Sequence, residues 1–202
     1  MLLEPSDLAI DRLGSQIQRM LKAIVAIIVA IGALVGVVAL LGNQLPVGHV
    51  ASRYVMIGAP IDVVFATITE FEAAAAWRGL KSVTVTKDPA SGRQRVREES
   101  SSGPITMEVE QLVPPRRLVM RIVDESAFGG AWAYALEPQG NATRITITEH
   151  GEVYNPVFRF VARYIMGYTR TIDSYLMSLG RKFGTEVVPV DAMPVPLNPA
   201  GA

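Results

Sequence analysis

Apolar positions along this chain follow three successive rules. The first is a continuous run: from Ala23 to Leu41, "AIVAIIVAIGALVGVVALL" has 19 residues with no charge or strongly polar group. A helix in a soluble core keeps a polar stripe, and this one has none. At about 1.5 Å per residue it would reach roughly 28 Å, close to the roughly 30 Å hydrocarbon layer of a bilayer. The segment is therefore expected to cross a membrane. It is long for the apolar part of a signal peptide, and no small-x-small cleavage site follows it. Arg12, Arg19 and Lys22 precede the span and only Arg53 follows at a comparable distance. This bias predicts a single-pass protein with a cytoplasmic N-terminus and an extracytoplasmic C-terminal domain. Gly32 and Gly36, at GxxxG spacing, would let two such helices approach in a weak dimer.

The second rule is alternation. "SRYVMI" reads as a strand, after which "GAPIDVVFATITEFEAAAAWRGL" switches to helical spacing, with Pro60 in the first turn and Val63, Val64, Ile68 and Phe71 on one face. The runs "KSVTVTK", "RQRVREES", "ITMEVEQLV", "RLVMRIVDE", "GGAWAYALE" and "ATRITITEH" then predict an antiparallel meander of about six strands. Turns such as "DPASG" and "PQGN" separate them. The third rule is a helical stripe: Phe158, Val161, Ile165, Tyr168, Ile172, Tyr175, Leu179 and Phe183 recur every three or four residues. Asn155 is placed as N-cap, Pro156 at the first helical position and Gly184 past the end, while Gly167 interrupts the stripe and would permit a bend.

One long helix lying on a curved antiparallel sheet is an α+β arrangement. The pattern divides the chain into a short cytoplasmic segment (1–22), a transmembrane helix (23–41), a linker (42–52), a folded domain (53–184) and a tail (185–202). The tail, "TEVVPVDAMPVPLNPAGA", holds four prolines and no Lys or Arg, and is expected to be extended or disordered.

Three stretches, "VMIGAPIDVVFATITEFEAAAAWRGLKSV", "MEVEQLVPPRRLVMRIVD" and "YALEPQGNATRITITEHGEV", precede the amphipathic terminal helix. In this order they resemble the SRPBCC or START-like superfamily, in its polyketide cyclase/dehydrase and lipid transport branch. The resemblance spans roughly residues 53–184. It implies a helix-grip fold, in which the sheet wraps the long helix and leaves a deep hydrophobic cavity. It implies no single reaction, because the superfamily includes lipid carriers, hormone receptors and aromatase/cyclases.

Charge and chemistry narrow the choice. The 19 Lys and Arg balance 19 Asp and Glu, so the chain lacks the basic field that a nucleic-acid partner requires. There is no cysteine, and the two histidines are separated, His49 in the linker and His150 at a strand end, where an exposed or capping role is expected. No metal site, cofactor or catalytic residue is expected from these positions, and neither a nucleophile elbow nor a glycine-rich phosphate loop occurs. Strand parity turns Glu108 and Glu110 to solvent. Glu98 and Glu149 can end on the inner face, where desolvation would act on a carboxylate. In "GGAWAYALE" Trp132, Tyr134 and Leu136 share one face and alanines the other, so the bulky face should meet Tyr168, Ile172 and Tyr175 of the long helix. These six residues, with Glu98 and Glu149, are the candidate ligand contacts. Three functions fit: a membrane-anchored binding module for a lipid or other hydrophobic small molecule, an aromatase/cyclase- or dehydrase-like enzyme, and a tethered interaction domain with a filled core.

Overall fold

The computed structural model describes residues 5–198, with side chains from Gly14 onward. Residues 199–202 of the tail and the side chain of Arg12 lie outside the described residues. The described chain opens with helix α1 (Pro5–Asn43), whose stretch from Gly14 to Asn43 is long and apolar enough to cross a membrane; its apolar body is covered by no other described residue, and only its last turn packs, with Gly42 buried. Strand β1 (Gly48–Ile57) follows after four residues. The expected linker, 42–52, is thus mostly helix end and strand. Helix α2 (Ile61–Thr69), a 3-10 turn and helix α3 (Ala74–Arg78) come next. In α2, Val64, Phe65 and Ile68 are buried, whereas Val63, expected on the same face, points outward.

Six strands then form the expected meander: β2 (Ser82–Lys87), β3 (Gln94–Ser100), β4 (Gly103–Val113), β5 (Arg117–Val123), β6 (Phe128–Gln139) and β7 (Ala142–Val153). All neighbours are antiparallel, and β1 closes beside β7 with Val55 opposite Ile145 and Ala51 opposite Glu149. The C-terminal helical region lies in the sheet's concave face. It begins as α4 (Pro156–Val161), where the Asn155 side chain accepts hydrogen bonds from the Val157 and Phe158 amides and Pro156 takes the first helical position. A π-helical turn (Ala162–Met166) and Gly167 follow, and the chain restarts as α5 (Arg170–Lys182). The predicted single helix is therefore two. Gly167 has φ 76° and ψ 150°, a conformation that only glycine adopts at low cost.

The break divides the apolar stripe. Ile172, Tyr175, Leu176 and Leu179 of α5 are buried against Val55, Leu118, Tyr134, Ile145 and Ile147 of the sheet and against α2. Phe158 and Ile165, from the first half of the same stripe, are exposed. Burying the α5 residues supplies about 1.5–3 kcal/mol for each large apolar side chain, the main term fixing helix to sheet.

The tail departs from expectation. Its prolines exclude helix, but an extended chain still offers backbone donors and acceptors, and the sheet satisfies them. Strand β8 (Val190–Asp191) pairs with β1 at Arg53 and Tyr54, completing an eight-stranded sheet. The Val195 amide donates to the Thr148 hydroxyl at 2.9 Å, and Arg117 donates to the carbonyls of Pro196 and Leu197. Val195 and Leu197 pack on Val119, Ala131 and Ala133 of the convex face. The residues described from 185 onward thus form an ordered strap. Parity on the outer face is correct, but Glu108 is not solvated: it is mostly buried, between Arg93 at 3.1 Å and Arg95 at 3.4 Å. Glu110 pairs with Arg121.

Gly167→Ala isolates the cost of the break, because a Cβ there would meet nothing within 4 Å. The substitution is expected to lower stability by about 1–3 kcal/mol through backbone conformation alone, measured by urea unfolding in detergent.

Candidate functional site

Between the concave sheet and the C-terminal helices lie two adjoining compartments, and the strand parity that buries Ile145 and Leu118 also decides their lining. The inner one, about 210 Å³, is bordered by Arg78, Glu98, Met107, Ile122, Trp132, Tyr134 and Glu149 among others. The outer one, about 350 Å³, is bordered by His49, Phe158, Val161, Met166 and Tyr168. Ile122, Phe128, Glu149 and Thr171 border both. The walls are mainly apolar, with the Arg78–Glu98 ion pair in the inner compartment and His49, Glu149 and Glu152 at the border of the outer one.

In the inner compartment Arg78, the last residue of α3, meets Glu98 of β3 in a two-pronged ion pair, with Nη2 donating to Oε2 at 2.8 Å. The guanidinium carbon also lies 4.8 Å from the centroid of the Tyr175 ring. Burial alone would pull the Arg78 pKa down, but the charge and hydrogen bonds of Glu98 raise it overall. The pair carries no net charge into the low-dielectric interior. Around it Trp77, Trp132 and Tyr134 each set a ring against Tyr175, with centroids 5.4, 6.0 and 5.7 Å away. The buried indole N–H of Trp77 has no hydrogen-bond partner among the described residues. Burial pushes the hydroxyl pKa values of Tyr134 and Tyr175 upward, with Arg78 opposing the rise in both.

In the outer compartment His49 of β1 stacks on Tyr168 with centroids 3.9 Å apart, and its Nε2 lies 3.3 Å from Glu149 Oε1. The expectation that His49 sits in a linker is corrected here. The alternation of β1 extends back from Ile57 through Val55, Arg53 and Ala51 to His49, so this side chain faces inward. His150, one residue from Glu149, faces the convex side, and its Nε2 lies 2.9 Å from the Val195 carbonyl oxygen. No group of three or more His, Cys, Asp or Glu able to hold a metal occurs among the described residues.

A family model described as polyketide cyclase/dehydrase and lipid transport matches residues 49–173. The chain belongs to this family. No curated protein matches it. Among solved structures, a START superfamily protein from Mycobacterium smegmatis is 16% identical, with 67% of this chain and 97% of the other covered, at a TM-score of 0.54. The Zhui aromatase/cyclase from Streptomyces sp. R1128 is 12% identical over 68% of this chain and 94% of its own, at 0.53. A norcoclaurine synthase from Thalictrum flavum, solved with a transition-state analogue, is 10% identical over 69% and 97%, also at 0.53. At these identities the similarity is one of fold, the START-like helix-grip fold.

The structure gathers most of the sequence candidates around the cavity. Trp132, Tyr134 and Glu98 border the inner compartment, Tyr168 the outer, and Glu149 both. Tyr175 lies against Trp132 and Tyr134. Leu136 and Ile172 belong to the closed core and border neither compartment. Sequence reasoning missed Arg78 and His49. A longer reading of the β1 alternation would have found His49; nothing local marks Arg78 as the partner of a residue twenty positions away.

The raised tyrosine pKa values carry a sign. An unfolded chain loses its phenolic protons near pH 10, while the folded chain keeps those of Tyr134 and Tyr175 to higher pH. Their contribution to stability is full below about pH 10 and declines above it. Unfolding free energies measured across alkaline pH should fall, and Tyr134→Phe and Tyr175→Phe should each flatten the fall. An unchanged slope in both variants would contradict the assignment.

Proposed function

We propose that the chain is a membrane-anchored binding module that holds a lipid or another hydrophobic small molecule between its sheet and its C-terminal helices. The observation that carries this reading is the pair of adjoining, largely apolar compartments, whose acidic groups already have partners within the protein. Such a cavity rewards apolar surface and shape and asks little of catalytic groups. Because Glu98 and Glu149 already have a guanidinium or imidazole partner and Glu152 accepts from the Tyr154 hydroxyl, the ligand favoured is a neutral amphiphile carrying a hydroxyl or carbonyl group. Trp132, Tyr134, Tyr168, Glu98 and Glu149 are its proposed contacts, with Tyr175 supporting the aromatic wall. The anchor is α1, with its N-terminus cytoplasmic on the charge bias, and Gly32 and Gly36 leave room on α1 for a second helix.

A second reading, an acid–base enzyme of the cyclase kind, has one observation in its favour. His49 and Glu149 meet at the boundary of the cavity, 3.3 Å apart. Turnover abolished by His49→Gln, with binding retained, would support it.

The binding reading is tested on a Trp77→Phe chain, in which Trp132 is the sole tryptophan. Titration with a fluorescence-silent fatty alcohol or sterol is expected to shift the Trp132 emission saturably. Unchanged emission while equilibrium dialysis shows binding would place the site elsewhere, and no binding across lipid classes would favour a filled core.

A further inference from the structure

We propose that α4 and the π-helical turn rest in the headgroup–acyl boundary of the leaflet from which α1 emerges, so that the outer compartment opens onto lipid rather than water. The inference rests on the membrane-anchored reading, and it concerns a surface that α1 alone does not explain. Phe158, Tyr164, Ile165 and Met166 are 56, 63, 71 and 51% exposed, four large apolar or aromatic side chains within nine residues. A patch of this kind on a face surrounded by water costs solubility and marks an interaction site.

What covers the patch follows from its position. The last turn of α1 is seated on α4: a Cβ built on Gly42 would fall 1.8 Å from the Pro156 carbonyl oxygen. Arg159 fixes the junction, with Nη1 donating to the Leu45 carbonyl at 2.8 Å and Nη2 to the Tyr154 carbonyl at 3.3 Å. Leu41, at the end of the apolar span, borders one hollow with Phe160 and Tyr164. When α1 crosses a bilayer, Leu41 is at the hydrocarbon edge, and the aromatic side chains beside it are at the depth where tyrosines concentrate in membrane proteins. A short helix with an apolar face at this depth is held by partial burial in the interface. Phe158 and Met166 belong both to the exposed patch and to the border of the outer compartment. The same side chains therefore meet lipid on one side and the cavity on the other.

Because the native chain has no cysteine, the geometry is testable by spin labels on single-cysteine variants of the full chain, reconstituted in phosphatidylcholine vesicles with a minority of phosphatidylglycerol. Ile165→Cys and Phe158→Cys probe the patch, and Val29→Cys probes the span. Val113→Cys, also exposed but at the opposite end of β4, is the aqueous reference. Labels at Ile165 and Phe158 are expected to collide more with oxygen than with a water-soluble nickel chelate, as the Val29 label does and the Val113 label does not. Nickel accessibility at Ile165 equal to that at Val113, with Val29 still lipid-exposed, overturns the docking and leaves the anchor standing. Exclusion of both reagents at Ile165 means that a second copy or another protein covers the patch, which also overturns it. An aqueous label at Val29 removes the anchor itself and the inference with it.

Discussion

The break at Gly167 is the constraint on which the arrangement depends. A continuous helix from Pro156 to Lys182 would present its whole apolar stripe to the sheet and fill the concave face from end to end. With φ at 76°, the chain instead turns out of the helix for three residues and re-enters it on a different axis. α5 then buries Ile172, Tyr175, Leu176 and Leu179 in the core, and α4 is free to meet the foot of α1. The outer compartment occupies the space between these two directions, with Gly167 and Tyr168 in its border. One stripe of residues thus serves two environments, a closed core and the surface beside α1.

The second requirement is that charged groups brought into contact with the interior have partners there. Arg53 of β1 shows the pattern, because its Nε donates to Asp173 of α5 at 2.7 Å while Nη1 reaches Asp191 of the strap. A single arginine joins sheet, helix and tail. Arg78 with Glu98 forms such a pair at the inner compartment, and His49 lies 3.3 Å from Glu149 at the outer one. Removing one member of such a pair leaves the other charge desolvated, at a cost of about 3–5 kcal/mol when fully buried, so these positions constrain both stability and the chemistry available to a ligand.

Much of the fold was legible because it rests on local rules. Alternation located the strands, and the caps at Asn155 and Pro156 and the terminal glycine Gly184 bounded the helical region. Parity alone brought Trp132 and Tyr134 to the inner face. The failures share one cause: composition reports what a segment cannot form by itself, not what surface waits to receive it. The tail is the clearest case. Ala131 and Ala133 read as a bare outer face, and the bareness is the trough in which Val195 and Leu197 lie. Glu108 likewise read as solvated because Arg95, which pairs with it, comes from the neighbouring strand β3 and Arg93 from the turn just before that strand. Arg78 and Glu98 belong to elements joined only by tertiary packing.

The central claim is that the space between sheet and helix is a ligand site and not a closed core. Native mass spectrometry of the full chain released from membrane nanodiscs tests it directly, with Ile122→Trp as the comparison, since Ile122 borders both compartments. The wild-type chain is expected to carry one non-covalently bound small molecule, and the Ile122→Trp chain, equally folded by circular dichroism, to lose it. A wild-type chain that emerges with no bound molecule, or an adduct that survives unchanged in Ile122→Trp, would contradict the claim.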